Sequence, residues 1–265
     1  MATALVTGGT SGIGAAFATA LAGRGFDLVL VARDAQRLEA SAERLRATGR
    51  TVEVISADLS DRADVARLAA RIEDAAAPID VVVNNAGFGV HARLTDPDTS
   101  ELDNAIEVMC RSVAVLSGAA ARAMRERGGG TILNVSSTAG FITTGGYSAV
   151  KAFVTTYTEA LAVELAGTGV HVTALCPGWV RTEFHDRAGI STRSIPSGLW
   201  VDVDRLVADA LRDAGRGVVV SIPSLRFKSL MALVKFAPRS SIRWISGRMS
   251  SSRRAANAAQ SGAHR

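Results

Sequence analysis

The sequence predicts an α/β chain wound around a seven-stranded parallel sheet. Three observations carry this. Short apolar, β-branched runs alternate with longer segments of helical periodicity between residues 4 and 222. The central runs are apolar at odd and even positions alike, as strands covered on both faces must be. A glycine-rich turn stands between the first run and the first helical segment. Strict alternation with right-handed crossovers gives a single doubly wound, Rossmann-type domain with helices on both faces of the sheet.

In chain order, the first strand is Ala4–Thr7, ending at the glycine turn, and Ile13–Gly23 is an alanine-rich helix closed by glycine. Asp27–Ala32 reads DLVLVA, a strand. Asp34–Thr48 opens on an aspartate and carries charges at helical spacing. Val52–Ser56 is the third strand, and Asp61–Ala77, again opened by aspartate, the next helix. Val81–Asn84 is the fourth strand. The long helical segment Ser100–Arg127 leads to the fifth strand, Thr131–Ser136, and Tyr147–Gly167 leads to the sixth, His171–Cys176. Val203–Ala214 is the last helix of the alternation and Val218–Ile222 its seventh strand. Residues 184–199 break the pattern with a polar stretch holding Gly189, Pro196 and Gly198, of the length of a binding loop.

The bulk properties narrow the function. A chain of 265 residues, 48% hydrophobic, can bury one large core. Cys110 and Cys176 are its two thiols, and the first residues lack the charged and apolar regions of a secretory leader. Both points indicate a reducing, cytoplasmic location. No run of about 18 apolar residues suggests a membrane span. The net charge of +5 is uneven: Ser221–Arg265 holds nine Lys/Arg and no Asp/Glu, leaving 21 basic against 25 acidic residues elsewhere. A mildly acidic body argues against a nucleic-acid partner, which needs basicity on the folded face. The four histidines show no metal-ligand spacing with one another or with the cysteines.

The turn at Gly8–Gly14 has the chemistry to hold a pyrophosphate. Gly8, Gly12 and Gly14 let backbone approach the ligand, and the following helix N-terminus offers N–H donors and partial positive charge. About twenty residues on, an acidic side chain would bond a ribose 2′-OH. Ala32 stands there instead, followed by Arg33, whose guanidinium suits a 2′-phosphate. The pattern favours NADP(H) over NAD(H); the plainer reading makes Arg33 the first solvated charge of the next helix.

Six motifs in order carry a resemblance: TGGTSGIG at 7–14, ADL at 57–59, NNAG at 84–87, NVSS at 134–137, YSAVK at 147–151 and CPGWVRT at 176–182. Over residues 3–222 the chain resembles the short-chain dehydrogenase/reductase family, and within it the NADP-preferring reductases of ketones, steroids and acyl carbonyls. The resemblance implies hydride transfer between NADP(H) and a carbonyl or alcohol of an apolar substrate. Tyr147 would be the proton donor, Lys151 its pKa tuner and a ligand of the nicotinamide ribose, and Ser137 a donor to the substrate oxygen. Residue chemistry agrees: a phenol of pKa about 10 needs a nearby cation to cycle at neutral pH, and Lys151 lies one helical turn from Tyr147. The resemblance also implies cofactor contacts from Gly8, Thr10, Ser11, Gly12, Ile13, Gly14, Arg33, Asp58 and Leu59. Asn85, Ala86, Gly87, Tyr147, Lys151, Pro177, Gly178, Val180 and Thr182 complete that set. Asn84 and Asn85 read equally as caps of a strand-to-loop turn, and Pro177-Gly178 as an ordinary turn.

Two departures from the family pattern stand out. Met109 occupies the place of an Asn that relays protons, and a thioether cannot donate a hydrogen bond. Ser137 and Tyr147 are ten positions apart, where the family usually has about thirteen, so the intervening pocket wall must differ. His91 and His185 follow the NNAG and PG motifs and could face substrate, although a loop histidine is the plainer reading.

Residues 1–222 then read as a dinucleotide-binding catalytic domain with 184–199 as its substrate loop. A basic amphipathic helical extension covers 223–254, and 255–265 is a frayed tail. In the extension, Phe227, Leu230, Met231 and Val234 form one helical stripe, broken at Pro238. Ser240 reads as the N-cap of a second piece carrying Ile242, Ile245 and Met249. The stripe either packs on its own domain or a sister subunit, or lies on an anionic bilayer with Trp244 near the interface. A homodimer or homotetramer through Ser100–Arg127 and Tyr147–Gly167 is expected from the resemblance. The competing function is a cofactor-binding, redox-sensing or membrane-associated protein with weak or no turnover.

Overall fold

The structure, a computed structural model, describes residues 2–182, 197–238, 240–244 and 246–248. Seven parallel strands form one sheet: β1 (Thr3–Thr7), β2 (Asp27–Ala32), β3 (Val52–Ser56), β4 (Val81–Asn84), β5 (Gly130–Val135), β6 (Val170–Leu175) and β9 (Val220–Ser221). Their order is β3-β2-β1-β4-β5-β6-β9, reversing direction of travel between β1 and β4. Two further strands, β7 (Trp179–Val180) and β8 (Trp200–Val201), pair with each other as a separate ribbon. Most bounds lie within a residue of expectation. The last strand shrinks from Val218–Ile222 to two residues, since only Val220 and Ser221 find partners on β6 and Pro223 has no N–H to donate.

Alternate side chains of each central strand feed two cores. Ala4 and Val6, Leu28 and Leu30, and Val81 and Val83 face the core built with α1 (Gly12–Gly23), α2 (Ala35–Arg46) and α7 (Val203–Gly215). Leu5, Val29, Val31 and Val82 face the core built with α3 (Arg62–Glu73), α5 (Ser112–Glu126) and α6 (Gly146–Glu164). Burying each such side chain contributes about 1.5–3 kcal/mol, which is why a sheet covered on both faces is apolar at every position.

Helix starts follow cap chemistry. Asp34, Asp61 and Asp202 precede α2, α3 and α7 and accept from Arg37 N at 3.0 Å, Ala63 N at 2.7 Å and Arg205 N at 2.9 Å. Asp34 and Asp61 are therefore caps rather than first helical residues. The helix expected to Ala77 stops at Glu73, where Asp74 leaves helical dihedrals and accepts from Ala76 N. The expected continuous helix Ser100–Arg127 is broken: α4 (Ser100–Ile106) and α5 are joined by a π-helical turn, Glu107–Arg111. Ser240 lies inside the second tail piece instead of capping it, because Ser241 and Ile242 donate to Pro238 O.

One buried polar network crosses the core beside the functional edge. Asn84 Nδ2 donates to Asn134 Oδ1 at 2.8 Å and Ser117 Oγ at 3.0 Å, and Asn134 Nδ2 donates to Thr158 Oγ1 at 3.0 Å. It ties β4, β5, α5 and α6 together with polar groups that water cannot reach. Asn134→Ala leaves donors on Asn84 and Ser117 without their acceptor. We expect it to lower unfolding free energy by about 2–4 kcal/mol in urea titrations; an unchanged midpoint would show that the network is not a fastening.

Candidate active site

The candidate residues gather at the C-terminal edge of the sheet, around the β1–β4 reversal, where α/β sheets open a crevice. The glycine turn leaves β1 and enters α1. A Cβ on Gly14 would collide with Gly8 O and Asn85 Nδ2, so only glycine lets α1 begin this close to the strand. Asn85 ties the turn down: its Nδ2 donates to Thr7 O at 3.0 Å and Gly8 O at 3.3 Å, and its backbone N donates to Thr7 Oγ1 at 2.9 Å. Ala86 N donates to the same hydroxyl at 3.1 Å. The Asn85 amide thus shapes the cradle rather than reaching into it. Thr182 lies across the turn, its Cβ 3.4 Å from the Cβ position of Gly12, which brings the PG segment over the loop.

A dinucleotide fits this cradle. Gly8, Gly12 and Gly14 bring no side chains of their own to the turn, and the first-turn N–H groups of α1 are the donors an anion needs. Thr10, Ser11 and Ile13 border the same turn, and Ile13 leans onto the core. Arg33 is exposed at the end of β2, with its carbonyl accepting from Ser56 Oγ at 3.0 Å. The Asp34 carboxylate is turned into the cap of α2. Asp58 accepts from Ser60 N at 2.9 Å and Ser60 Oγ at 2.7 Å, and these bonds, aided by Arg33, hold its carboxyl below the usual range. Leu59 and Val180 are buried in opposite cores, so they can meet a ligand only through backbone.

Ser137, Tyr147 and Lys151 converge beyond β5. Ser137 caps a 3₁₀ turn, Thr138–Phe141, by accepting from Ala139 N at 3.1 Å. The turn folds tightly onto α6: a Cβ on Gly140 would lie 2.9 Å from Lys151 O. Gly145, with φ +114°, then turns the chain into α6 through a conformation other residues avoid. Burial pushes the Tyr147 phenol up to about 12, and its bond to Ser137, which draws the pKa down, only partly offsets this. Lys151 is 4% exposed; its Nζ donates to Val135 O at 2.9 Å and stands 5.7 Å from the Tyr147 ring centre. Burial pushes this ammonium down to about 8, with the Cys110 and Cys176 thiols opposing. Those thiols are themselves buried and pushed up to about 11. Desolvation of both groups works against the expected tuning of Tyr147 toward phenolate by Lys151.

Met109 sits inside the π-helical turn, 1% exposed, with Ala105, Cys110 and Val150, and with Phe88, Val90 and Tyr147 against the cluster. Its Sδ lies 2.9 Å, and Lys151 Nζ 3.6 Å, from where a Gly87 Cβ would stand. Gly87 therefore packs closely over Met109 and lies beside the Lys151 ammonium, with no room for a side chain. Over the start of α6, Val90 and Leu102 close on Gly146 at 3.2 and 3.1 Å from its Cβ position. The side of the site next to Tyr147 is apolar. His91 is exposed and meets Glu101 through its backbone N at 2.7 Å; His185, His264 and Met249 lie outside the described residues.

Three contacts at the site were not foreseen. Thr138 N and Oγ1 donate to Pro177 O at 3.0 and 3.1 Å, locking the Ser137 turn to the PG turn. A Cβ on Gly178 would collide with the Phe227 ring from helix α8 (Leu225–Phe236). Trp179 and Trp200 meet edge-on at 6.3 Å, with Arg181 5.5 Å over the Trp200 ring. Phe227 belongs to the apolar stripe of the tail, the one sequence signal that pointed toward such docking.

The short chain dehydrogenase family matches residues 2–190. A short-chain dehydrogenase from Sphingobium yanoikuyae, solved in complex with NADPH, is 36% identical with TM-score 0.80, covering 90% of this chain and 97% of that one. The bulky-bulky ketone specific alcohol dehydrogenase from Comamonas testosteroni is 33% identical with TM-score 0.76, covering 90% and 96%. An uncharacterized oxidoreductase of Staphylococcus aureus (strain USA300) is 36% identical over 182 residues, 68% of this chain and 78% of its own length. Glycine betaine reductase ATRR of Emericella nidulans is 35% identical over 220 residues, but this chain spans only 17% of its length.

The buried ammonium fixes a pH dependence of stability. Between pH about 8 and 10.5 the unfolded chain binds the Lys151 proton and the folded chain does not, so the Lys151 contribution to unfolding free energy rises with pH, while Cys110 and Cys176, raised from 9.0 to about 11, oppose it from pH 9 upward. Tyr147 works in the opposite sense only above 10.0, toward about 12. Against wild type, Lys151→Met should therefore lose relative stability across the Lys151 window. Urea midpoints measured at several pH values test this; a constant difference would contradict the buried charge.

Proposed function

The chain belongs to the short-chain dehydrogenase family of NAD(P)-dependent oxidoreductases, and on that premise we propose that it interconverts a ketone and a secondary alcohol on an apolar substrate, preferring NADP(H). The observation that carries the proposal is the convergence of Tyr147, Ser137 and Lys151 beside the glycine cradle, against an apolar wall. The NADPH complex of the Sphingobium relative and the bulky ketones named for the Comamonas enzyme support the cofactor and substrate class.

When bound, the cofactor supplies or accepts the hydride. The groups that would hold it are the N–H groups at Gly12–Gly14, Arg33 toward a 2′-phosphate, and the backbone at Asn85–Gly87 and Pro177–Thr182. Tyr147 keeps its proton throughout the neutral range, so Oη is available to donate it to the carbonyl oxygen during reduction. Ser137 Oγ stabilises the developing charge on that oxygen. Lys151 stands within reach of the phenol to stabilise it once the proton has left. Residues 1–222 act as the catalytic domain in this reading. Two copies pair through α4, α5 and α6, where Phe153 and Val163 are 42% and 78% exposed. Met109 favours a second reading, a cofactor-binding protein of weak turnover, because no side-chain donor stands at that position.

The test is NADPH consumption across a panel of aryl and bulky ketones, with Tyr147→Phe alongside. Loss of the general acid should lower kcat roughly a hundredfold or more with cofactor binding intact. Wild type as inert as the variant would favour the second reading. Arg33→Ala should raise the KM for NADPH about ten- to hundredfold and leave that for NADH nearly unchanged. Equal effects on both cofactors would remove Arg33 from phosphate recognition.

A further inference from the structure

The C-terminal arm has two faces, and only one is used by the body of the protein. On the inner face, Phe227 and Met231 are buried, Phe227 against Gly178, and Ser246 Oγ accepts from Thr143 N at 3.2 Å. Arg226 donates to Gly198 O. The outer face is apolar too. Leu230, Leu233 and Phe236, three residues apart along α8, are 48%, 71% and 88% exposed, and Trp244 is 62% exposed. In the second piece, helical at 240–244 and 246–248, Ile242 and Ser246 turn inward, and Trp244 faces out with Arg248 4.7 Å over its ring. Single exposed apolar residues need no explanation, but a phenylalanine, a tryptophan and two leucines in one short arm do.

The charge around this face has one sign. Arg226, Lys228, Arg243 and Arg248 are exposed, and no Asp or Glu occurs anywhere from Ser221 to Arg265. A second copy would bring both signs of charge, since the body outside the arm holds 21 basic and 25 acidic residues. A surface of anionic lipid supplies both the negative charge and the apolar layer into which leucine, phenylalanine and tryptophan can sink. No helix among the described residues is long and apolar enough to cross a bilayer, so the arm would lie on it.

We propose that the outer face of the C-terminal arm, Leu230, Leu233, Phe236 and Trp244 with their basic flanks, docks on anionic bilayer surfaces. Because the inner face touches the two loops beside Tyr147, through Gly178 and Thr143, docking brings that side of the site to the lipid. An apolar substrate partitioned in the bilayer would then be within reach. This last step rests on the reductase reading, whereas membrane docking does not.

The experiment is cosedimentation of the full chain with phosphatidylcholine vesicles and with phosphatidylcholine–phosphatidylglycerol vesicles, with light scattering of the lipid-free protein. We expect binding to the anionic vesicles only, weakened roughly tenfold on moving from low to high salt. The variant Leu233→Ser/Phe236→Ser/Trp244→Ser should lose binding about tenfold or more. These side chains are exposed, so NADPH binding and melting should stay at wild-type values and report an intact fold. Arg243→Gln/Arg248→Gln should weaken anionic binding alone. Equal binding to both vesicle types, no binding to either, or a dimer that the triple variant dissociates would each overturn the proposal. None of these outcomes depends on turnover.

Discussion

A lysine ammonium buried at the end of β5 is the constraint on which the functional edge depends. Lys151 is almost wholly removed from water, and one carbonyl, Val135 O, receives its proton at 2.9 Å. Burying a cation this way is costly unless its surroundings are fixed. The surroundings are fixed from several sides. Ser136 Oγ donates to the Lys151 carbonyl at 2.7 Å, Gly140 lies against its backbone, and Gly87, lacking a side chain, leaves room for Met109 Sδ and Lys151 Nζ beside it. Moving any of these would shift the lysine against the carbonyl that receives its proton.

The same constraint explains why a short connection between Ser137 and Tyr147 works. Ten positions suffice because the chain spends four of them in a 3₁₀ turn pressed onto α6 and then reverses at Gly145. What the loop lacks in bulk is made up from outside. The Pro177 carbonyl receives Thr138, and the C-terminal arm adds Phe227 at Gly178 and Ser246 at Thr143. The wall of the candidate site is thus assembled from the fifth and sixth strand ends and from the C-terminal arm that follows the seventh.

Much of this was legible in the sequence. Alternating apolar runs gave the sheet because a strand buried on both faces has no freedom to be polar. Aspartates at positions 34 and 61 marked helix starts because their carboxylates satisfy first-turn N–H groups, and Asp202 does the same ahead of Val203. Other features left no periodic trace. The π-helical turn at Glu107–Arg111 is a slip of hydrogen bonding within a helix whose apolar pattern continues. The Trp179–Val180 and Trp200–Val201 ribbon is too short for alternation to register. The Thr143–Ser246 bond joins residues 103 positions apart. The spacing of Tyr147 and Lys151 revealed their proximity but not their shared desolvation, which depends on what the rest of the chain stacks over them.

Burial lowers Lys151 and raises Tyr147, so in the proposed reaction the competent state is a neutral phenol beside a charged amine, and the amine is the group that fails first as pH rises. The most direct measurement is the pH profile of kcat/KM for ketone reduction, which reports groups in the free enzyme. The account predicts a plateau through neutrality and a fall above pH about 8 as Lys151 discharges. Lys151→Arg, whose charge does not titrate in this range, should move that fall upward in whatever activity it retains. A wild-type profile flat well past pH 8, or a fall that Lys151→Arg leaves in place, would contradict it.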